Sequence, residues 1–133
     1  NEHYYYGRAL AEAMTDTGLA GTVAPTLMDL GGGPGVVGLE EALQETCELD
    51  EDASLKELGI FAAVGPHATD TVSAGLWLRC AELAAARGIP LHAHVAQLPD
   101  EYAKCLREHG CSPVEWLSRL GVLDTTARSP PAG

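Results

Sequence analysis

The sequence predicts an α/β fold built on a parallel sheet. Helix-like and strand-like stretches alternate along the chain, which implies right-handed crossovers between parallel strands. Polar residues gather just after the second and third apolar stretches, where parallel sheets build their sites. Only three strands can be found. That leaves either a small open sheet or a slice of an eight-stranded barrel.

Each element has its own signal. Tyr4 to Thr17 carries Leu10, Ala11, Ala13 and Met14 at helical spacing, and Gly18 stops it. Thr22 to Met28 is apolar, ends at Asp29, and predicts a buried strand. Gly31-Gly32-Gly33-Pro34-Gly35 predicts a loop. Leu39 to Leu49 predicts a helix, and the acidic run Glu48 to Asp52 a solvated loop. Ile60 to Val64 predicts a second strand, closed by Gly65-Pro66. Ser73 to Arg87 predicts a long helix with Ser73 as N-cap and Leu76, Cys80, Leu83 and Ala84 in one stripe. Arg87 suits its last turn and Gly88 caps it. Ile89 to Ala96 predicts the third strand. Asp100 begins another helix, ended by Gly110. Ser112-Pro113-Val114-Glu115 is a capping box that opens a helix through Trp116 and Leu117 to Leu120, stopped at Gly121.

Composition sets the outer bounds. The chain has 133 residues and a formal net charge of −11, which disfavours nucleic-acid binding through a basic patch. Hydrophobic residues make up 46% and mean hydropathy is near zero, enough for a packed core. No apolar run approaches a membrane span, and no secretory signal opens the chain. The chain begins at Asn1 rather than Met, so it reads as cut from a longer protein. Cys47, Cys80, Cys105 and Cys111 lack a C-x-x-C spacing and give weak support to a zinc site or disulfides. Reduced thiols and a cytoplasmic location are the expectation.

His67 follows Gly65-Pro66, and His92, His94 and Gln97 lie on or just past the third strand. His92 and His94 are two apart, so on a strand they face the same way and can meet a metal. The same spacing also suits a pair of hydrogen-bonded structural histidines, and His67 could equally cap a loop. His3 and His109 read as surface or packing residues, the tyrosines at 4 to 6 as wall or packing aromatics, and Trp77 and Trp116 as helix-packing residues. The glycine-rich stretch lacks the Lys-Ser/Thr of a phosphate-binding loop.

Gly65-Pro66-His67-Ala68, then Gly88-Ile89-Pro90-Leu91-His92-Ala93-His94-Val95-Ala96-Gln97, resembles the amidohydrolase superfamily. The branch it resembles holds methylthioadenosine/S-adenosylhomocysteine deaminases, guanine and cytosine deaminases, and triazine chlorohydrolases. The flanks are similar too: Ala11-Glu12-Ala13 with Thr17-Gly18-Leu19, Pro113-Val114-Glu115-Trp116-Leu117, and Leu120-Gly121-Val122-Leu123. The resemblance covers roughly residues 4–124.

The resemblance implies part of a (β/α)8 TIM barrel, its third to fifth strands, and a mononuclear divalent metal, zinc or iron. His94 corresponds to a metal ligand, and His67 and His92 to substrate contacts. The implied reaction is attack of metal-activated water on a C–N, or C–halide, bond of a small heterocycle or amidine. It implies a small-molecule substrate, no nucleic acid or membrane partner, and compatibility with a homo-oligomer.

The departures are specific. Gln97 stands where the family has Glu, and an amide can orient water but cannot shuttle a proton. Asp100 and Glu101 lie nearby but out of register to replace it. Ala20 replaces the family's Arg, and Thr69-Asp70-Thr71-Val72 replaces its usual aromatic and small residues. The family's first-strand H-x-H, sixth-strand His and eighth-strand Asp have no counterparts, and 125–133 reads as a loop-like tail after a partial barrel domain of 1–124. One metal ligand cannot fix a metal site, so the fragment alone is expected to be inactive. The alternative is a non-catalytic α/β interaction module with structural histidines.

Overall fold

The computed structural model describes residues 6–30 and 38–123. The glycine-rich loop, His3, Tyr4, Tyr5 and the 125–133 tail lie outside them.

Helix α1 runs Gly7–Thr17 and buries Gly7, Ala11 and Met14. Gly18 ends it at φ 73°, and the Leu19 N–H reaches back to the Met14 carbonyl at 2.9 Å. The first predicted strand is interrupted, forming β1, Gly21–Val23, and β2, Thr26–Leu27. Pro25 sits at the break and has no N–H for a ladder bond. Gly7 packs there so closely that a Cβ on it would lie 2.8 Å from the Pro25 ring.

Helix α2, Leu39–Glu51, extends beyond its predicted end, and a short α3, Ala53–Glu57, follows. The acidic run is therefore not a loop. Leu49 within it is buried, and Asp52 caps α3 by accepting from the Ser54 and Leu55 N–H groups. Asp50 and Glu51 pair with Arg87, and Asp50 also with Lys56.

The second strand is likewise in two parts: β3, Ile60–Ala62, and β4, Gly65–Pro66. Gly65-Pro66 does not close the strand as expected. It pairs in parallel with β2, as β3 does with β1, and the register holds across the break: Gly21 opposes Ile60 and Thr26 opposes Gly65.

Helix α4, Ala74–Arg87, returns the chain to the other side of β3 and β4. Ser73 caps its start and Gly88, at φ 65°, its end. The third predicted strand is realised only as two isolated parallel bridges, Val64 to Leu91 and Ala68 to His94. The spacing differs by one residue between the two bridges, so the 64–68 side carries an extra residue, as at a bulge. Pro66, which cannot donate to the ladder, lies inside that stretch.

Helix α5, Pro99–His109, starts one residue before the predicted Asp100, with Pro99 in its first turn and Gly110 capping its end. Helix α6, Pro113–Arg119, opens with the predicted reciprocal capping box of Ser112 and Glu115, and Leu120 forms its C-cap. The larger buried cluster joins Leu27 and Val64 to Leu43, Leu76, Trp77, Cys80, Trp116 and Leu117. A smaller one joins Ala11 and Met14 to Val23, Leu49, Leu55 and Ile60. Trp77 and Trp116 are thus packing residues, as expected, and His109 stacks on Trp116 at 4.2 Å. Among the described residues no helix is long and apolar enough to cross a membrane.

Candidate functional site

The carboxyl ends of the strands bring two histidines together. His67 follows β4 directly, and its N–H donates to the Leu27 carbonyl at 3.0 Å. His94 lies on the outer bridge and donates its N–H to the His67 carbonyl at 2.9 Å. These main-chain bonds set the imidazoles edge-on, 5.6 Å between centroids and 74° between planes. Both side chains are half-buried. Burial lowers the pKa of His67, and the neighbouring His94 adds to that effect, while Asp70 and Glu101 oppose it. The neutral ring is the form that binds a metal or accepts a proton.

The His67 Nδ1 lies 2.8 Å from the Thr71 hydroxyl. Thr71 also reaches the Ala68 carbonyl at 3.3 Å, where only its hydroxyl can donate. His92 is half-buried, donates its N–H to the Val64 carbonyl at 2.9 Å, and has a pKa lowered by burial. Gln97 is exposed, just past an Ala96 held at φ 55°.

Glu101 is the residue that sequence reasoning set aside. Only 3% exposed, it accepts at Oε1 from the Thr69 hydroxyl at 2.5 Å, the Ala96 N–H at 3.1 Å and the Thr69 N–H at 3.4 Å. Its Oε2 accepts from the Gln97 N–H at 2.8 Å. Burial alone would raise its pKa, but these hydrogen bonds together hold it below the usual glutamate value. The available signal was its place in the first turn of α5, where a carboxylate can reach back to preceding N–H groups.

Imidazole nitrogen is a fitting donor for zinc, and the His67–His94 pair offers it at the end of a parallel sheet where catalytic sites form. Among the described residues, no group of three or more His, Cys, Asp or Glu is placed to hold a metal ion. All four cysteines are free.

Residues 1–128 match the amidohydrolase family. The chain is 32% identical over 124 residues to a 5-methylthioadenosine/S-adenosylhomocysteine deaminase of Thermodesulfovibrio yellowstonii, covering 93% of this chain and 28% of that protein. Among solved structures, it superposes on an adenosine deaminase from Xanthomonas campestris with bound zinc at TM-score 0.79 and 26% identity, covering 92% of this chain and 28% of that one. It also superposes on a triazine hydrolase from Arthobacter aurescens at TM-score 0.72 and 25% identity, covering 88% of this chain and 27% of that one. The chain thus spans under a third of the proteins it resembles.

Proposed function

The chain belongs to the amidohydrolase family, and on that premise we propose that it supplies the third, fourth and fifth strand units of a (β/α)8 barrel in a metal-dependent hydrolase. Residues 1–124 form this sector. The observation that carries the reading is the edge-on meeting of His67 and His94 at the ends of neighbouring parallel strands.

In this reading His94 is one ligand of a divalent metal. Zinc is favoured because the adenosine deaminase of similar fold holds it; iron, which imidazole also suits, is the alternative. A divalent zinc, when bound, supplies the Lewis acidity that makes water a nucleophile near neutral pH. His67 and His92 contact substrate. Thr71 orients the His67 ring through Nδ1. Gln97 holds water or substrate by hydrogen bonds and moves no proton, since its amide does not titrate. The remaining ligands come from outside the described residues, so this sector alone does not turn over substrate.

The substrate class is a small heterocycle or amidine whose C–N bond is hydrolysed. The relatives named for 5-methylthioadenosine and S-adenosylhomocysteine support a purine nucleoside. The triazine hydrolase of similar fold supports a nitrogen heterocycle, and the C–halide variant of the same attack rests on the sequence resemblance.

The test uses the complete reading frame that contains this chain. Its product is expected to carry zinc and to release ammonia from 5-methylthioadenosine or S-adenosylhomocysteine, or halide from a chlorotriazine. His94→Ala is expected to lose both metal and turnover. Retention of both would overturn the metal role. A zinc-replete protein inert on all these substrates would overturn the reaction class.

A further inference from the structure

We infer that Glu101 is a positioning residue that locks the segment carrying Gln97 to the loop following His67. Its consequence for chemistry rests on the roles proposed above for Gln97 and His67; its geometry does not. One carboxylate, almost fully buried, collects donors from both sides: the N–H and hydroxyl of Thr69, two residues past His67, and the N–H groups of Ala96 and Gln97. These two segments leave neighbouring strands joined by the His94 N–H to His67 carbonyl bond, and beyond that bond this side chain ties them together.

The carboxylate also holds a conformation the chain would otherwise avoid. Ala96 lies at φ 55°, a left-handed geometry disfavoured for a residue with a Cβ. Such a conformation persists only where surrounding structure imposes it. Glu101 binds the N–H of Ala96 itself and of the next residue, so it fixes the direction in which Gln97 leaves the strand end. A glutamine at 101 would keep one carbonyl acceptor, but its amide nitrogen is itself a donor. It would face an N–H or hydroxyl donor on one side or the other.

The test is amide hydrogen exchange of the full chain, read residue by residue by NMR, with Glu101→Gln and Thr69→Val. Glu101→Gln is expected to speed exchange at Thr69, Ala96 and Gln97 by at least about tenfold, while Trp77 and Cys80 in α4 keep their wild-type rates. A residue that merely supported the fold would instead speed α4 in parallel. Thr69→Val removes only the hydroxyl, on the far side of the carboxylate from Gln97. It is nonetheless expected to speed exchange at Ala96 and Gln97, and Thr69→Ser is expected to restore it. Unchanged exchange at Ala96 and Gln97 in Thr69→Val overturns the inference, including where Glu101→Gln fails to fold. The readout needs neither metal nor substrate. An inactive complete protein would therefore overturn the proposed function and leave this inference standing, and the reverse outcome is equally readable.

Discussion

His94 donates its main-chain N–H to the carbonyl of His67, and the two imidazoles meet edge-on at 5.6 Å across that bond. The pair is therefore placed by sheet geometry rather than by side-chain reach. What the backbone does not set is the tautomer of His67, and Thr71 is placed to set it.

The Thr71 hydroxyl has one proton. If that proton goes to the Ala68 carbonyl, 3.3 Å away, the oxygen accepts from His67 Nδ1–H at 2.8 Å. The Nδ1–H tautomer is then expected in the wild type, leaving Nε2 as the acceptor nitrogen. Thr71→Val is expected to shift the ring toward a mixture with Nε2–H, and Thr71→Ser to keep Nδ1–H. Long-range nitrogen–proton NMR of the imidazole reads the tautomer directly. A wild-type ring protonated at Nε2 would show that the hydroxyl donates to the ring instead.

By the resemblance drawn from the sequence, Gln97 takes the place of a carboxylate, which makes its proposed role testable by restoration. In the complete protein, Gln97→Glu is expected to raise the deamination rate by roughly 10²–10⁴, the usual contribution of a general acid or base. Ammonia release under substrate saturation measures it. An unchanged rate would place proton transfer on another group or identify a reaction that does not need it.

The helix ends capped by serine or glycine were legible in the sequence, whereas the end of α2 and the strand limits were not, for a physical reason. Ser73, Ser112, Gly18, Gly88 and Gly110 cap by contacts with residues a few positions away, so short-range reading finds them. The strands depend on partners far along the chain. Pro25 and Pro66 look harmless in an apolar run, yet each deprives the ladder of a donor and breaks or bulges it. Asp52 was read as part of a solvated run because its charge is visible and its capping of α3 is not. The candidate site divides the same way. The histidines are visible by type and spacing, whereas Glu101 matters through Thr69, which lies far back in the chain.

Gly7 has a packing reason that substitution can measure. A Cβ there would come within 2.8 Å of the Pro25 ring and 3.2–3.3 Å of Leu49 and Val23 side chains. Gly7→Ala is expected to destabilise the chain by about 1–3 kcal/mol despite the better helix propensity of alanine. Denaturant unfolding checks it. A gain in stability would mean that Pro25 and α1 separate without cost.

Asp52 gives a pH dependence with a definite sign. The Ser54 hydroxyl, followed by the Arg8 guanidinium at 3.0 Å, brings its carboxyl from the ordinary 3.8 down to about 2. The folded state therefore binds this proton less readily than the unfolded state. Its stabilising contribution is complete above about pH 4, declines as pH falls, and is gone below about pH 2. Thermal melts of wild type and Asp52→Asn are expected to converge through that window. Curves that stay parallel would show that the ionised carboxyl adds nothing to stability beyond what an amide cap supplies.

The cysteines separate by burial, and reactivity can read this without any assay of function. Cys80 is fully buried, and desolvation pushes its thiol up to about 12 from an ordinary 9.0. At pH 8 only about one molecule in 10⁴ would then carry the Cys80 thiolate, the form that attacks an alkylating agent. Cys105 is raised in the same direction by burial, with Cys111 beside it, and both are covered by the larger core cluster. Cys47 is half-buried on α2. Iodoacetamide on the native chain is expected to label Cys47 first, with Cys80, Cys105 and Cys111 labelled only at the rate of unfolding. Mass spectrometry of the timed reaction distinguishes the sites. Equal labelling of Cys47 and Cys80 in the native state would mean that α4 does not stay packed against α2, and with it the core that holds the strand ends and their histidines in place.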